Sequence, residues 1–467
     1  MKVSPTTFRP LPCAGLVPLL IVGFVTLPVA GQKAIDEPAA RFVQRVNSLY
    51  QTFDQNYLQP IVKQQFMLTA VDACYTVGGK QAPAGLRHEA SQLANDGDIE
   101  KWLTSHWQAA LENVDENPDR PLLDQICDRM LRSLDPRSGY VSARQNRVDK
   151  QLAENQYVGI GIRVRYEEEK AMIDYPFPGG TAHEAGARVG DFIIEVDGES
   201  MAGLDLGVIV ERLRGLEGSE VTVEVQNQDG SEPRTLHMVR KVVPIPSVTG
   251  VRQKEDGTWR YMPDRNGRYA YMAIASLVGS TSAELQDAVR DVAAEGAKGV
   301  VLDLRELNDA ELHHINMVAD VLVGEGELGT LNLPYGQTRT LMTRADSDFE
   351  GLHVAVLTRE RVSGPVFALL YALGQRNNTS LIGPATNSGL TCLDRFDLPN
   401  DDGAIRHLAY ATLVPAGLGD DEESAHLHNR QAGGAGVVRL PVDQELTSGD
   451  PLVAARNWLD KQTRQSR

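Results

Sequence analysis

The chain has 467 residues, 42% hydrophobic and 23% charged, an ordinary soluble composition that is long enough for two or three domains with real cores. Its formal net charge of −17 argues against nucleic-acid binding, because phosphate recognition needs a basic face that this sequence does not offer. Acidity of this kind selects no partner and mainly favours solubility.

At the N-terminus Lys2 and Arg9 accompany a nearly uncharged stretch, residues 11–30, that holds Leu-Leu-Ile-Val at 19–22 and ends in the small residues Ala30 and Gly31. This is the pattern of a signal peptide spanning residues 1–31, and Pro18, Gly23 and Pro28 suit a processed segment. An uncleaved anchor is the other reading, for which the apolar run is long enough; in that case alone would the chain touch a membrane. Both readings predict an extracytoplasmic protein, periplasmic or secreted. Past the leader, Cys74, Cys127 and Cys392 remain, an odd count that permits at most one disulfide. Two readings stand open: a Cys74–Cys127 bridge with Cys392 free, or three buried thiols. No Cys-x-x-Cys spacing is present, so neither a metal nor a cofactor is expected.

Residues 39–134 carry helical apolar spacing, with Phe42, Val46, Leu49, Tyr50 and Phe53 in one stripe and Leu122, Ile126, Met130 and Leu134 in another. Pro60, Gly78-Gly79 and Pro118 punctuate the region and Asp135-Pro136 closes it, giving a helical N-terminal domain over 32–150. From Tyr157 the period changes to strands and tight turns. Tyr157-Val-Gly-Ile-Gly-Ile162 is followed by Pro178-Gly-Gly-Thr-Ala182, by Val189-Gly-Asp-Phe-Ile-Ile-Glu-Val-Asp-Gly198, by a helix over 206–213 and by a strand over 221–225. A glycine pair alone signals only a turn. This whole series, over 151–245, resembles a PDZ domain, in which a glycine loop, a strand and an opposing helix capture a peptide C-terminus by strand addition.

Beyond Val243-Pro-Ile-Pro-Ser-Val248 strand and helix alternate across residues 246–467. Strands are predicted over 269–275, 299–305, 353–357, 380–382 and 408–413, with helices over 280–295, 364–373 and 451–461. Such alternation indicates an α/β layer fold. The final helix carries Leu452, Ala455 and Leu459 on its inner face, and the run at 420–423 reads as a solvated acidic loop.

Export signal, helical region, PDZ-like insert and α/β core in this order resemble the carboxyl-terminal processing proteases, the tail-specific serine peptidases of family S41. The most specific pieces are Ser133-Leu-Asp-Pro136, Tyr140-Val-Ser142, the PDZ series, Val243-Pro-Ile-Pro-Ser-Val248 and Ala297-Lys-Gly-Val-Val-Leu-Asp-Leu-Arg305. The resemblance implies an α+β multidomain chain with a crotonase/ClpP-like core, tail binding by the PDZ groove and cleavage by a serine–lysine dyad. Its carboxylate loop falls on Val158, Gly159, Ile160, Gly161 and Ile162, with Ile160, Ile162, Val210 and Leu213 lining the pocket for the last side chain.

The same matching departs from the family at every catalytic position. The nucleophile falls on Gly364, the lysine on Gly389, a supporting glutamine on Leu393, and the oxyanion turn Asn-Pro-Gly-Gly on Leu307-Asn308-Asp309-Ala310. No lysine occurs between Lys298 and Lys461, so no shift of register restores the base, and arginine cannot replace it. Lys298 itself precedes a strand, away from the carboxyl ends where α/β sites lie, and reads as a surface charge. Ser363 is the one serine that a shift recovers; its plain reading is a helix N-cap, and as a nucleophile it would need His313, His314, His353 or His407. The pair His313-His314 beside Glu311 reads as an exposed polar helix face. The expected protein is a pseudoprotease that binds C-terminal tails, alone or in oligomers with itself or an active relative; the alternative is a serine endopeptidase with a non-standard dyad at Ser363.

Overall fold

Phe42, Val46, Leu49 and Phe53 recur at the spacing of one helix face, and in the computed structural model of this chain all four are fully buried. The structure describes residues 37–117, 120–153, 156–167, 170–177, 179–254, 258–263, 268–343, 346–418, 437–440, 442–446 and 449–465. The leader at 1–31 and the acidic run at 420–423 lie outside the described residues. Among the described residues no helix is long and apolar enough to cross a membrane.

The first region comprises α1 (Glu37–Asn56), α2 (Lys63–Val77), α3 (Leu86–Ser91), α4 (Asp96–Leu111) and α5 (Leu122–Leu134), followed by β1 (Gly139–Val141) and α6 (Ala143–Ala153). The sequence did not announce α6, because Ala-Arg-Gln-Asn-Arg-Val-Asp-Lys carries no apolar stripe. Cys74 on α2 and Cys127 on α5 are free, buried thiols, as is Cys392, which settles the two cysteine readings against the disulfide. Burial pushes all three thiols up, Cys392 to about 12, so they are inert core residues.

The glycine-rich series folds as β2 (Gln156–Gly159), β3 (Ile162–Glu167), β4 (Lys170–Pro176), α7 (Thr181–Glu184), β5 (Phe192–Val196), β6 (Glu199–Ser200), α8 (Leu206–Leu213), β7 (Glu220–Gln226), β8 (Arg234–Val239) and β9 (Lys241–Pro244). Its sheet runs β3-β4-β5-β7-β8 with β6 on β5, so β3 is an edge strand, and α8 packs beside it. β2 pairs with β9, closing the insert with its own entering and leaving segments. Asp191 of the Gly190-Asp191 pair is fully buried and accepts from the Arg188 amide at 2.8 Å and the Arg234 guanidinium at 2.6 Å, which holds the turn before β5. Arg240 is 7% exposed and caps α8: it donates to the carbonyls of Leu213 (3.2 Å) and Arg212 (2.9 Å), and to that of Glu220 (2.8 Å) at the start of β7.

The last region contains β10 (Val248–Thr249), β11 (Arg252–Gln253), β12 (Trp259–Arg260), β13 (Tyr269–Ile274), α9 (Thr281–Ala294), β14 (Gly299–Asp303), α10 (Leu312–Leu322), β15 (Gly326–Asn332), β16 (Thr338–Thr343), β17 (His353–Leu357), α11 (Gly364–Gly374), β18 (Thr379–Gly383), β19 (Thr386–Gly389), β20 (Thr391–Asp397), β21 (Ala404–Pro415), β22 (Val437–Leu440), β23 (Gln444–Glu445) and α12 (Pro451–Gln465). The expected strand–helix alternation builds a sheet β10-β13-β14-β17-β18-β23, parallel except at β10. Ala455 and Leu459 of α12 are fully buried under it. In a second, antiparallel sheet, β1-β21-β15-β16 with β20 on β21, the strand expected over 408–413 lies within β21, whereas β15, β16 and β20, which lack long apolar runs, were not foreseen. Through β1 it joins the helical region to the core, and Gly403 permits the contact: a Cβ there would lie 2.3 Å from the Val141 carbonyl oxygen.

Replacing Arg240 with alanine leaves three carbonyls of the α8–β7 corner without their donor, so Arg240→Ala should lower stability by about 2–4 kcal/mol. Arg240→Lys should recover only part of the loss. Urea unfolding, with hydrogen exchange of the α8 amides, reads the effect; equal stability of parent and Arg240→Ala would refute this role.

Candidate active site

Three loops meet at the amino end of α11, and each is tied to the next by main-chain hydrogen bonds. The Ser363 N–H donates to the Asn308 carbonyl at 2.9 Å, the Val362 N–H to Asn387 at 3.2 Å, and the Asn387 N–H to Glu360 at 2.7 Å. The α11 sequence Gly-Pro-Val-Phe-Ala-Leu-Leu begins with Pro365 in its first turn, where a missing N–H costs nothing, and is buried from Gly364 to Leu370. It buries its opening residue against the turn between β19 and β20.

Gly364 has no room for a side chain. A Cβ built there would stand 2.8 Å from both the carbonyl carbon and oxygen of Leu390 and 2.9 Å from the Thr391 carbonyl oxygen, distances that only a backbone shift relieves. The Leu390 carbonyl is itself fixed, accepting from the Leu413 N–H at 2.9 Å. Gly389 ends β19 opposite Val437, and Leu393 lies on β20 opposite Ala409, beside an irregularity in the register. In the turn before α10, Asp309 is exposed, and its carboxylate accepts from the Ala310 N–H at 2.9 Å. This turn, which the resemblance matches to an oxyanion donor, thus holds an anion against its own amide.

Ser363 stands at the N-cap position of α11 but makes no cap hydrogen bond. Its Oγ is buried and has no hydrogen-bond partner among the described residues. The plain N-cap reading is therefore corrected: the backbone is that of a cap, the hydroxyl is not. None of the four core histidines bonds it. His353 opens β17 and packs edge-on against Trp458 at 6.2 Å, and His407 lies exposed on β21. His313 and His314 begin α10; His313 is exposed as expected, whereas His314 is only 9% exposed, so the expected polar face is half wrong. Lys298 is exposed at the start of β14, as its place before the strand suggested.

One polar cluster escaped the sequence. At the carboxyl end of β14, Asp303 accepts from Arg305 Nε at 2.9 Å, Arg305 Nη2 at 2.6 Å and Tyr271 Oη at 2.8 Å. Burial opposes the Asp303 charge, but the bonds from Arg305 and Tyr271 outweigh it and hold the carboxyl below its usual range. Burial and the same contact push the Tyr271 hydroxyl up to about 12. The cluster borders a cavity of about 470 Å³ that Ile245, Pro246 and Thr249 also line. The Asp-Leu-Arg motif marked two of its members; Tyr271 enters only through the β13–β14 register, which sets it beside Val301.

In the PDZ-like region the carbonyls of Val158, Ile160 and Gly161 are all taken up by protein N–H groups, from Gly215, Ala182 and Phe177. Gly161 has φ +76° and a Cβ there would meet the Gly180 Cα at 3.0 Å, so the loop needs glycine. Ile160, Ile162 and Leu213 are buried in the core of this region, and Val210 is half-buried on α8.

The family models agree with this architecture: the PDZ domain matches residues 172–227 and peptidase family S41 matches residues 268–419. The chain therefore carries a PDZ domain and a peptidase family S41 domain. The probable CtpA-like serine protease of Staphylococcus aureus (strain N315) is 28% identical over 263 residues, 56% of this chain and 50% of that protein. The carboxy-terminal-processing protease of Bartonella bacilliformis is 27% identical over 241 residues, 51% of each chain. The chain thus spans about half the length of the curated relatives it matches. Among solved structures, a photosystem II D1 C-terminal processing protease aligns over 87% of this chain and 93% of its own at 20% identity, with a TM-score of 0.39. The S41 match contains α11, the β19–β20 turn and the Asp309-Ala310 turn.

The packing at Gly364 predicts opposite effects for two neighbouring substitutions. Gly364→Ala forces a methyl into backbone and should cost about 1–3 kcal/mol. Ser363→Ala removes a buried, unpaired hydroxyl and should be neutral or stabilising by up to about 1 kcal/mol. Thermal denaturation of both variants checks this; a Gly364→Ala protein as stable as its parent would contradict the geometry.

Proposed function

We propose that this S41-family chain is an exported pseudoprotease, which binds protein C-termini through its PDZ domain and does not cleave them. The observation that carries the proposal is the contact of Gly364 with the Leu390 and Thr391 main chain, at the position matched to the nucleophile. A serine there would have neither space for its Oγ nor a lysine to activate it, since none lies between Lys298 and Lys461. The Asp309 carboxylate on the Ala310 N–H adds a third obstacle. Nucleophile, base and oxyanion donor act as a unit, and their joint loss removes effects each worth orders of magnitude in rate.

Tail binding is supported by the free edge of β3, by α8 alongside it, and by a glycine loop held from its carbonyl side. The bound carboxylate lies against the loop of Val158 to Ile162, and the last apolar side chain against Ile160, Ile162, Val210 and Leu213. Sequestering tails, alone or in mixed oligomers with an active relative, is the role that follows. Export by the residue 1–31 leader places that role outside the cytoplasm.

A peptide ending in an apolar residue should bind the full chain, and its C-terminal amide should bind at least about tenfold more weakly, because the carboxylate contacts are lost. Equal affinity of the two forms in a fluorescence titration would defeat the tail-binding claim. A serine-directed fluorophosphonate should leave the chain unlabelled; labelling that disappears in Ser363→Ala would instead support a peptidase with a non-standard dyad.

A further inference from the structure

Beside the closed site, Glu311, His313 and His314 bring one ligand atom each to within 4.8 Å of one another. Glu311 is the N-cap of α10 and the two histidines lie in its first turn. His313 Nδ1 is 3.4 Å from a Glu311 carboxylate oxygen, and the two imidazole rings stand with centroids 3.8 Å apart, tilted by 45°. Consecutive helical residues ordinarily diverge by about 100°, whereas these two imidazoles converge. Ligand atoms on a tetrahedral zinc ion with bonds of about 2.0–2.1 Å lie roughly 3.3 Å apart. The edge between His313 Nδ1 and the Glu311 carboxylate already has that length, and no edge of the triad exceeds 4.8 Å.

The surroundings favour a cation. Asp394, half-buried on β20, lies within electrostatic reach of Glu311, Asp309 and His313. An ion among these carboxylates relieves their repulsion. The positive end of α10 works against it, but that effect is modest and screened at an exposed terminus.

We propose that Glu311, His313 and His314 form a binding site for one divalent transition-metal ion of borderline softness, zinc being the type, with Asp394 balancing its charge. Two imidazoles and one carboxylate suit such an ion better than calcium or magnesium, which take oxygen ligands. The site begins three residues after Asn308, whose carbonyl accepts from the Ser363 N–H.

The test uses the full chain without a histidine tag, stripped with a chelator and titrated with Zn²⁺ and, separately, Co²⁺. One equivalent should bind, with visible d–d absorption from the cobalt form. Glu311→Gln and His313→Ala change side chains outside the core, and each should weaken zinc binding at least about tenfold while the metal-free melting curve stays that of the parent. His426→Ala with His428→Ala, which removes the chain's other closely spaced histidines, should leave binding unchanged. Absence of saturable binding overturns the proposal, as does binding that survives both Glu311→Gln and His313→Ala or is lost with the His426 and His428 pair.

Discussion

The contact on which the rest depends is the burial of a glycine Cα at the start of α11 against the main chain of Leu390 and Thr391. Helix α11 lies within the largest core, so its axis is set by Val366, Phe367, Leu369 and Leu370. With the axis fixed, the β19–β20 turn can approach only as closely as residue 364 allows, and glycine allows backbone contact. The loops at 308, 360–363 and 387 then hydrogen-bond directly to one another at the amino end of α11. One small residue thereby links core packing to the chemistry that the site can perform.

Much of this was legible in the sequence, because long apolar periods override local ambiguity. The stripe through Phe42, Val46, Leu49 and Phe53, the buried runs of β14 and β17, and the strand–helix alternation are all found where periodicity set them. The PDZ series was readable through its glycines, and Gly161 shows why: its positive φ and its approach to Gly180 admit no other residue without strain. The absence of lysine between Lys298 and Lys461 was a plain compositional fact.

What escaped were features made by register and by side chains meeting from distant elements. Polar α6 and the antiparallel strands β15, β16 and β20 lack the apolar runs that announce an element. The Asp303–Arg305–Tyr271 cluster exists only because β13 and β14 pair in parallel with Tyr271 opposite Val301. The histidine pair at the start of α10 reads as a solvated face until burial of His314 and the convergence with Glu311 are seen. The unpaired Ser363 hydroxyl shows the limit in another way: a serine before a helix is a cap by frequency, and here it caps nothing.

Binding and cleavage would be separable in this architecture, since β3 and α8, the elements proposed to hold a tail, and the α11 terminus belong to different sheets and cores. The most direct measurement is therefore intact-mass spectrometry of an unstructured, apolar-ended polypeptide held at saturating concentration of the full chain for many hours. The polypeptide should remain bound and whole. Fragments that accumulate with the parent chain and vanish with Ser363→Ala would contradict it.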